Sequence, residues 1–278
     1  MRYVKSAAEI SLINSIYARR HLLAERSLRV LFETTPAAVR ELLPPPLQPT
    51  PEPLGSVVVG EIGNSNCAGP YLVAALYVRA QYQDIVGNYC VSMSVSTPEA
   101  LTYGHQLYGE PTKLAKIIFE DQDEHVWGSA ERHDVRYLSL RGRLTEDAPT
   151  GRQESSTFHF KFLPRPDGNG FDTPPHLVQM TSDSNVQTAR KGRGELVFRD
   201  SPHDPVADIP VQQVLEALFT EGHTYTGGRI LCAVDPDAFL PYAFSRIDSF
   251  DLVAEGTYLH AHAARKTRDG KGQWRNGH

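Results

Sequence analysis

Gly104-His105-Gln106-Leu107-Tyr108-Gly109-Glu110-Pro111-Thr112-Lys113-Leu114-Ala115 is the stretch whose reading decides the architecture. It is polar and punctuated by Gly and Pro, and an apolar run, Ile117, Ile118 and Phe119, follows it. A lysine set just before buried structure invites carbonyl chemistry, because a desolvated amine is neutral and nucleophilic near pH 7.

On either side, β-branched and aromatic runs bounded by Gly, Asn and Pro predict strands: Leu28 to Phe32, Val57 to Ile62, Tyr71 to Tyr82, Tyr89 to Val95, Val135 to Gly142, Leu196 to Phe198 and Ile230 to Val234. Phe158, Phe160 and Phe162 alternate with His159 and Lys161, the period-two pattern of a half-buried strand. Helices are few. Ser6 and Glu9 form a capping-box pattern that predicts a helix through about Leu23. Thr35 caps a short helix from Pro36 to Leu43, stopped by the prolines at 44–46. Val211, Val214, Leu215 and Leu218 share one helical face and predict a helix over Val211 to Phe219.

The 278 residues are 40 % hydrophobic, enough for a sizeable core. A formal net charge of −5 argues against a general nucleic-acid binder, and no apolar run is long enough to span a bilayer. The N-terminus lacks the apolar core of a signal peptide. Cys67, Cys90 and Cys232 are odd in number and form no CxxC pair, so neither a disulfide framework nor a zinc knuckle is expected. A cytoplasmic location is the default expectation. The chain has no Gly-rich phosphate loop, GxSxG or HExxH, and no cofactor is expected. His260 and His262 read as a rim or tail rather than a metal site.

The opening segment resembles the signature of the acetoacetate decarboxylase superfamily, in which a glycine-arginine-glutamate step leads to a proline and two adjacent lysines. Three further stretches are similar to that family in consistent order: Val39 to Leu47, ending Pro44-Pro45-Pro46-Leu47; Gly69-Pro70-Tyr71-Leu72-Val73-Ala74; and Gly194 to Phe198 with Ser201 to Pro205 and Ile209 to Val211. The resemblance implies a β-rich α+β fold, a closed, strongly curved antiparallel β barrel or cone around an apolar internal cavity, in a homo-oligomer. The domain would run over 25–259, with an N-terminal helical extension over 1–24 and a basic tail over 260–278. It implies lyase-type chemistry on a small-molecule carbonyl substrate, a keto acid or polyketide-like compound.

In the family as it is resembled here, the first lysine of the pair forms a Schiff base. That position carries Thr112, and the second lysine is Lys113. His105 and Gln106 stand for the arginine and glutamate, and Val73 for the acid of the Tyr-x-Glu-Ala strand. Two accounts stay open. Lys113 acts as the amine, or no imine forms and the cavity works by acid/base chemistry, as an isomerase or cyclase would. A catalytically inactive binding protein is a third reading. The catalytic candidates are Lys113, His105, Glu110 and Tyr242; Lys113 paired with Glu110 is the structural alternative. The substrate-binding candidates are Gln106, Tyr108, Tyr71, Val73, Glu61 and Thr112. Loss of a charged pair at 105 and 106 disfavours a small carboxylate and favours a more neutral substrate.

Overall fold

The computed structural model describes residues 2–248 and two short paired strands, Lys266–Arg268 and Trp274–Asn276. The tail expected over 260–278 otherwise lies outside the described residues. Helix α1 (Ala7–Ala18) carries the expected capping box between Ser6 and Glu9 but ends well before Leu23. Strand β1 (Arg20–Glu33) begins there, five residues ahead of the domain start expected at 25.

The elements that follow are α2 (Pro36–Leu42), β2 (Gln48–Pro49), β3 (Leu54–Ser65), β4 (Tyr71–Tyr82), β5 (Ile85–Val95), α3 (Pro98–Tyr108), β6 (Thr112–Leu114) and β7 (Lys116–Gln122). Then come β8 (His125–Arg132), β9 (Val135–Asp147), β10 (Gly151–Lys161), β11 (His176–Phe198), β12 (Gln213–Ala233) and α4 (Pro236–Ala243).

The sheet closes on itself. Its order is β10-β5-β4-β3-β1-β12-β11, and β10 pairs again with β11. Every pairing in this ring is antiparallel except β5 with β10, a short parallel contact at Thr157–Asn88 and Phe158–Tyr89. Closure removes the sheet edges that would otherwise seek partners. From β11 the sheet continues through β9, β8 and β7. This extension folds back over the ring, and the main core lies between the two layers. Leu28, Val30 and Phe32 of β1, Val57 and Val59 of β3 and Phe219 of β12 meet Val126 of β8 and Tyr137, Leu138 and Leu140 of β9, all essentially unexposed. Each such side chain contributes about 1.5–3 kcal/mol by leaving water.

A bulge in β1 sets which residues face which way. The register with β12 shifts between Leu22 and Glu25 while that with β3 stays constant, and Ala24 takes a left-handed conformation, φ 48°. An extra residue moves the alternation by one. Arg20 and Leu22 therefore share the inner face with Glu25, Ser27 and Arg29, while Leu28, Val30 and Phe32 turn to the outer core.

Val211 to Phe219 is not a helix. Residues from Gln213 onward belong to β12, bonded to β1 on one side and β11 on the other, with Ala217 and Phe219 in the core. Two flanking ladders override a helical apolar spacing. His159 is as fully buried as Phe158 and Phe160, so β10 is covered on both faces there.

Candidate functional site

The ring encloses a cavity of about 300 Å³. Its wall qualifies the expectation of an apolar chamber: polar side chains share it with apolar ones such as Val58, Ile62 and Leu218. Lumen positions on β10, β11 and β12 carry Ser155, Thr157, Ser182, Ser184, Thr220 and Thr224, and apolar groups such as Met93, Val95 and Ala100 lie elsewhere on the wall.

A buried ion pair occupies one part of this lumen. Helix α3 is capped by Thr97, starts with Pro98 and stops at Gly109, whose φ of 72° suits glycine. The chain then doubles back, and the Glu110 N–H donates to Gly104 O at 3.2 Å. The Glu110 carboxylate lies so close to Gly104 that any Cβ at 104 would overlap Oε2. Arg20 Nη2 meets Glu110 Oε1 at 3.3 Å, Arg20 Nε donates to Thr226 Oγ1 at 2.9 Å, and the guanidinium lies 5.1 Å from the Tyr108 ring centre. Burial opposes the charge on Arg20, but Glu110 and then Tyr71 outweigh it and hold the guanidinium above its usual pKa.

A second carboxyl faces the lumen from the bulge. Burial raises the Glu25 pKa, opposed by a hydrogen bond from Thr224 and by the charge of Arg20. Thr224 Oγ1 donates to Glu25 Oε2 at 2.5 Å and lies 2.9 Å from Ser184 Oγ. His223 Nδ1 accepts the Ala24 N–H at 3.1 Å, which leaves Nε2 as the protonated nitrogen of the neutral ring at the lumen wall. A carboxyl biased toward its neutral form, near a fixed cation, can donate or accept a proton while the guanidinium holds a developing oxyanion.

Lys113 lies elsewhere. Strand β6 runs parallel to β5 with Thr112 opposite Met93 and Lys113 opposite Ser94. Met93 is a lumen residue, whereas Ser94 turns to the outer core and bonds Tyr137 Oη at 2.8 Å. Lys113 follows Ser94: its Nζ donates to His203 O at 3.1 Å and lies 3.4 Å from Asp204, which Arg132 Nε also engages at 2.8 Å. Its carboxylate partner is thus Asp204, and Glu110 goes to Arg20. Thr112 is buried and donates to Leu101 O at 3.0 Å.

Of the other sequence candidates, Tyr71 and Val73 line the lumen. Burial pushes the Tyr71 phenol up. Tyr108 packs beneath Arg20. His105 lies on α3 away from the wall, its pKa lowered by burial and then by Arg246. Gln106 is exposed. Glu61 points outward to Arg26 at 3.7 Å. Tyr242 packs on α4 against the Phe160 and Phe239 cluster. Arg20, Glu25 and Thr224 escape a linear reading because their joint position depends on the bulge. The signal that could have found them is the break in alternation before Leu28. Among the described residues no group of three or more His, Cys, Asp or Glu is placed to hold a metal, and no helix is long and apolar enough to cross a membrane.

The ring closes around a cavity that holds the buried Arg20–Glu110 pair. The family model described as acetoacetate decarboxylase matches residues 12–233, and the chain belongs to that family. It is 28 % identical over 196 residues to the acetoacetate decarboxylase of Burkholderia cenocepacia, covering 68 % of this chain and 78 % of the relative. Its fold is similar to that of acetoacetate decarboxylase from Legionella pneumophila (TM-score 0.70, 18 % identity, 77 % and 87 % covered). It is also similar to an acetoacetate decarboxylase-like enzyme from Sphingomonas wittichii (TM-score 0.68, 20 % identity, 78 % and 94 % covered).

Proposed function

We propose that this chain is a cofactor-independent lyase-type enzyme that acts on a small carbonyl compound without forming an imine. The observation that carries this is the place of Lys113 outside the lumen: its amine is tied to Asp204, and Thr112, on the opposite face of β6, has none to offer. In this reading the substrate carbonyl oxygen accepts from Arg20, which Glu110 holds in place. Glu25 exchanges a proton with the substrate while the enolate charge rests against the guanidinium, and a carbon–carbon or carbon–oxygen bond β to the carbonyl breaks. Decarboxylation, retro-aldol and dehydration reactions all share that enolate.

The test is borohydride treatment of the parent protein with candidate ketones, followed by intact mass, alongside turnover by Glu25→Gln. No mass gain, and at least a 100-fold loss of kcat in a folded Glu25→Gln, are expected. An adduct on Lys113 overturns the mechanism. A homo-oligomer belongs to the same proposal: α1 buries none of its residues and leaves Ile10, Leu12 and Tyr17 exposed. Light scattering showing a monomer at working concentration removes that part.

A further inference from the structure

The lumen wall is richer in neutral oxygen and nitrogen than catalysis by Arg20 and Glu25 requires. Ser27, Ser155, Thr157, Ser182 and Thr220 present hydroxyls from four strands, and Asn88 on β5 adds an amide. Some are already paired, Ser27 with Thr220 at 3.2 Å and Thr157 with His159 Nε2 at 3.2 Å, yet a hydroxyl can serve more than one hydrogen bond. The lumen guanidiniums each have an acid nearby: Arg20 bonds Glu110, and the charge of Glu216 acts on Arg29. An incoming carboxylate would compete with an acid already in place. An alkyl ketone would strip water from the hydroxyls and return no hydrogen bond. The cavity of about 300 Å³ is the size of a small ligand.

We infer that the lumen accepts a neutral, polyhydroxylated carbonyl compound in preference to a keto acid or an unfunctionalised ketone. This rests on the lumen being the substrate site proposed above. The wall hydroxyls exchange bonds with water for bonds with substrate hydroxyls, so ligand specificity lies in Ser155 and Thr220 rather than in the reacting groups. Wall and catalytic groups are separable: Glu25 and Arg20 act on the carbonyl, and the hydroxyl tier reads the rest of the chain.

Saturation-transfer difference NMR with D-xylulose, heptan-2-one and acetoacetate as probes tests this on the full chain. Saturable signal for xylulose is expected, at least fivefold weaker in Ser155→Ala/Thr220→Val, whose melting temperature should match the parent. Saturation by heptan-2-one or acetoacetate but not by xylulose overturns the inference. So does xylulose binding that is unchanged in the double variant, or no saturation by any probe. Xylulose binding with no lyase turnover of any substrate refutes the catalytic proposal alone, and turnover of a keto acid with no xylulose binding refutes this inference alone.

Discussion

Arg20 and Glu110, separated by 90 positions in the chain, meet at 3.3 Å inside the ring, and both side chains are almost wholly shielded from water. Glu110→Leu leaves the guanidinium buried and unpaired. A loss of about 3–5 kcal/mol in urea unfolding is expected, and Arg20→Met/Glu110→Leu should recover most of it. Equal losses in the single and double variants would show that the pair is not the source.

Gly104 makes room for that carboxylate. A methyl at 104 overlaps Glu110 Oε2 and comes within 3.3 Å of Thr112 Cγ2. Gly104→Ala is expected to cost about 1–3 kcal/mol, as overpacking does. In a Glu110→Ala background the same substitution should cost far less. A penalty that persists there would place the strain in helix α3 instead.

Lys113 and Thr112 give opposite outcomes. Lys113→Gln removes one of the cations on Asp204 and should destabilise the protein by about 1–3 kcal/mol while leaving kcat of the folded fraction unchanged. Thr112→Lys introduces an amine on the face of β6 that Met93 shares and is the variant expected to gain a borohydride-trapped ketone adduct. A fall in kcat with unchanged stability in Lys113→Gln would reverse this assignment.

His159 should make stability depend on pH. Burial, then Arg246 and Arg20, lowers its pKa from 6.5 to about 3. The unfolded chain therefore binds a proton that the folded one refuses between those values. The stability is fully present above pH 6.5 and is lost as pH falls toward 3, at up to about 1.4 kcal/mol per pH unit. His159→Gln cannot titrate, so its melting temperature should fall less steeply from pH 7 to 4.5 than the parent's. Parallel curves would mean that His159 is solvated or charged in the folded state.

Ala24 holds φ 48° at the bulge. A left-handed residue with a Cβ costs about 1–2 kcal/mol, so Ala24→Gly should stabilise the protein by up to about 1 kcal/mol once glycine's greater freedom in the unfolded chain is counted. Destabilisation in thermal unfolding would contradict the bulge geometry.

Much of the strand content was legible because inner and outer faces alternate at period two and turn residues bound the runs. The caps at Ser6 and Thr35 were legible for the same local reason: the side-chain acceptor and the orphan N–H lie three residues apart. Val211 to Phe219 was misread because its apolar spacing fits a helix, and only the ladders on both flanks decide for a strand. Of the segment Gly104 to Ala115 only Glu110 lines the lumen, and its partner there is Arg20 rather than the Lys113 of the structural alternative.

By itself, the order of residues carried the local facts: which segments extend, where helix α3 must stop at Gly109, and that neighbours such as Thr112 and Lys113 point opposite ways if they lie on a strand. Tertiary structure alone chose which of the two looks inward. That choice follows from pairing with Met93 and Ser94. The bulge also puts Arg20 and Glu25 of the same strand on one face, within electrostatic reach of each other, and a long-range register leaves no periodic trace in a linear chain.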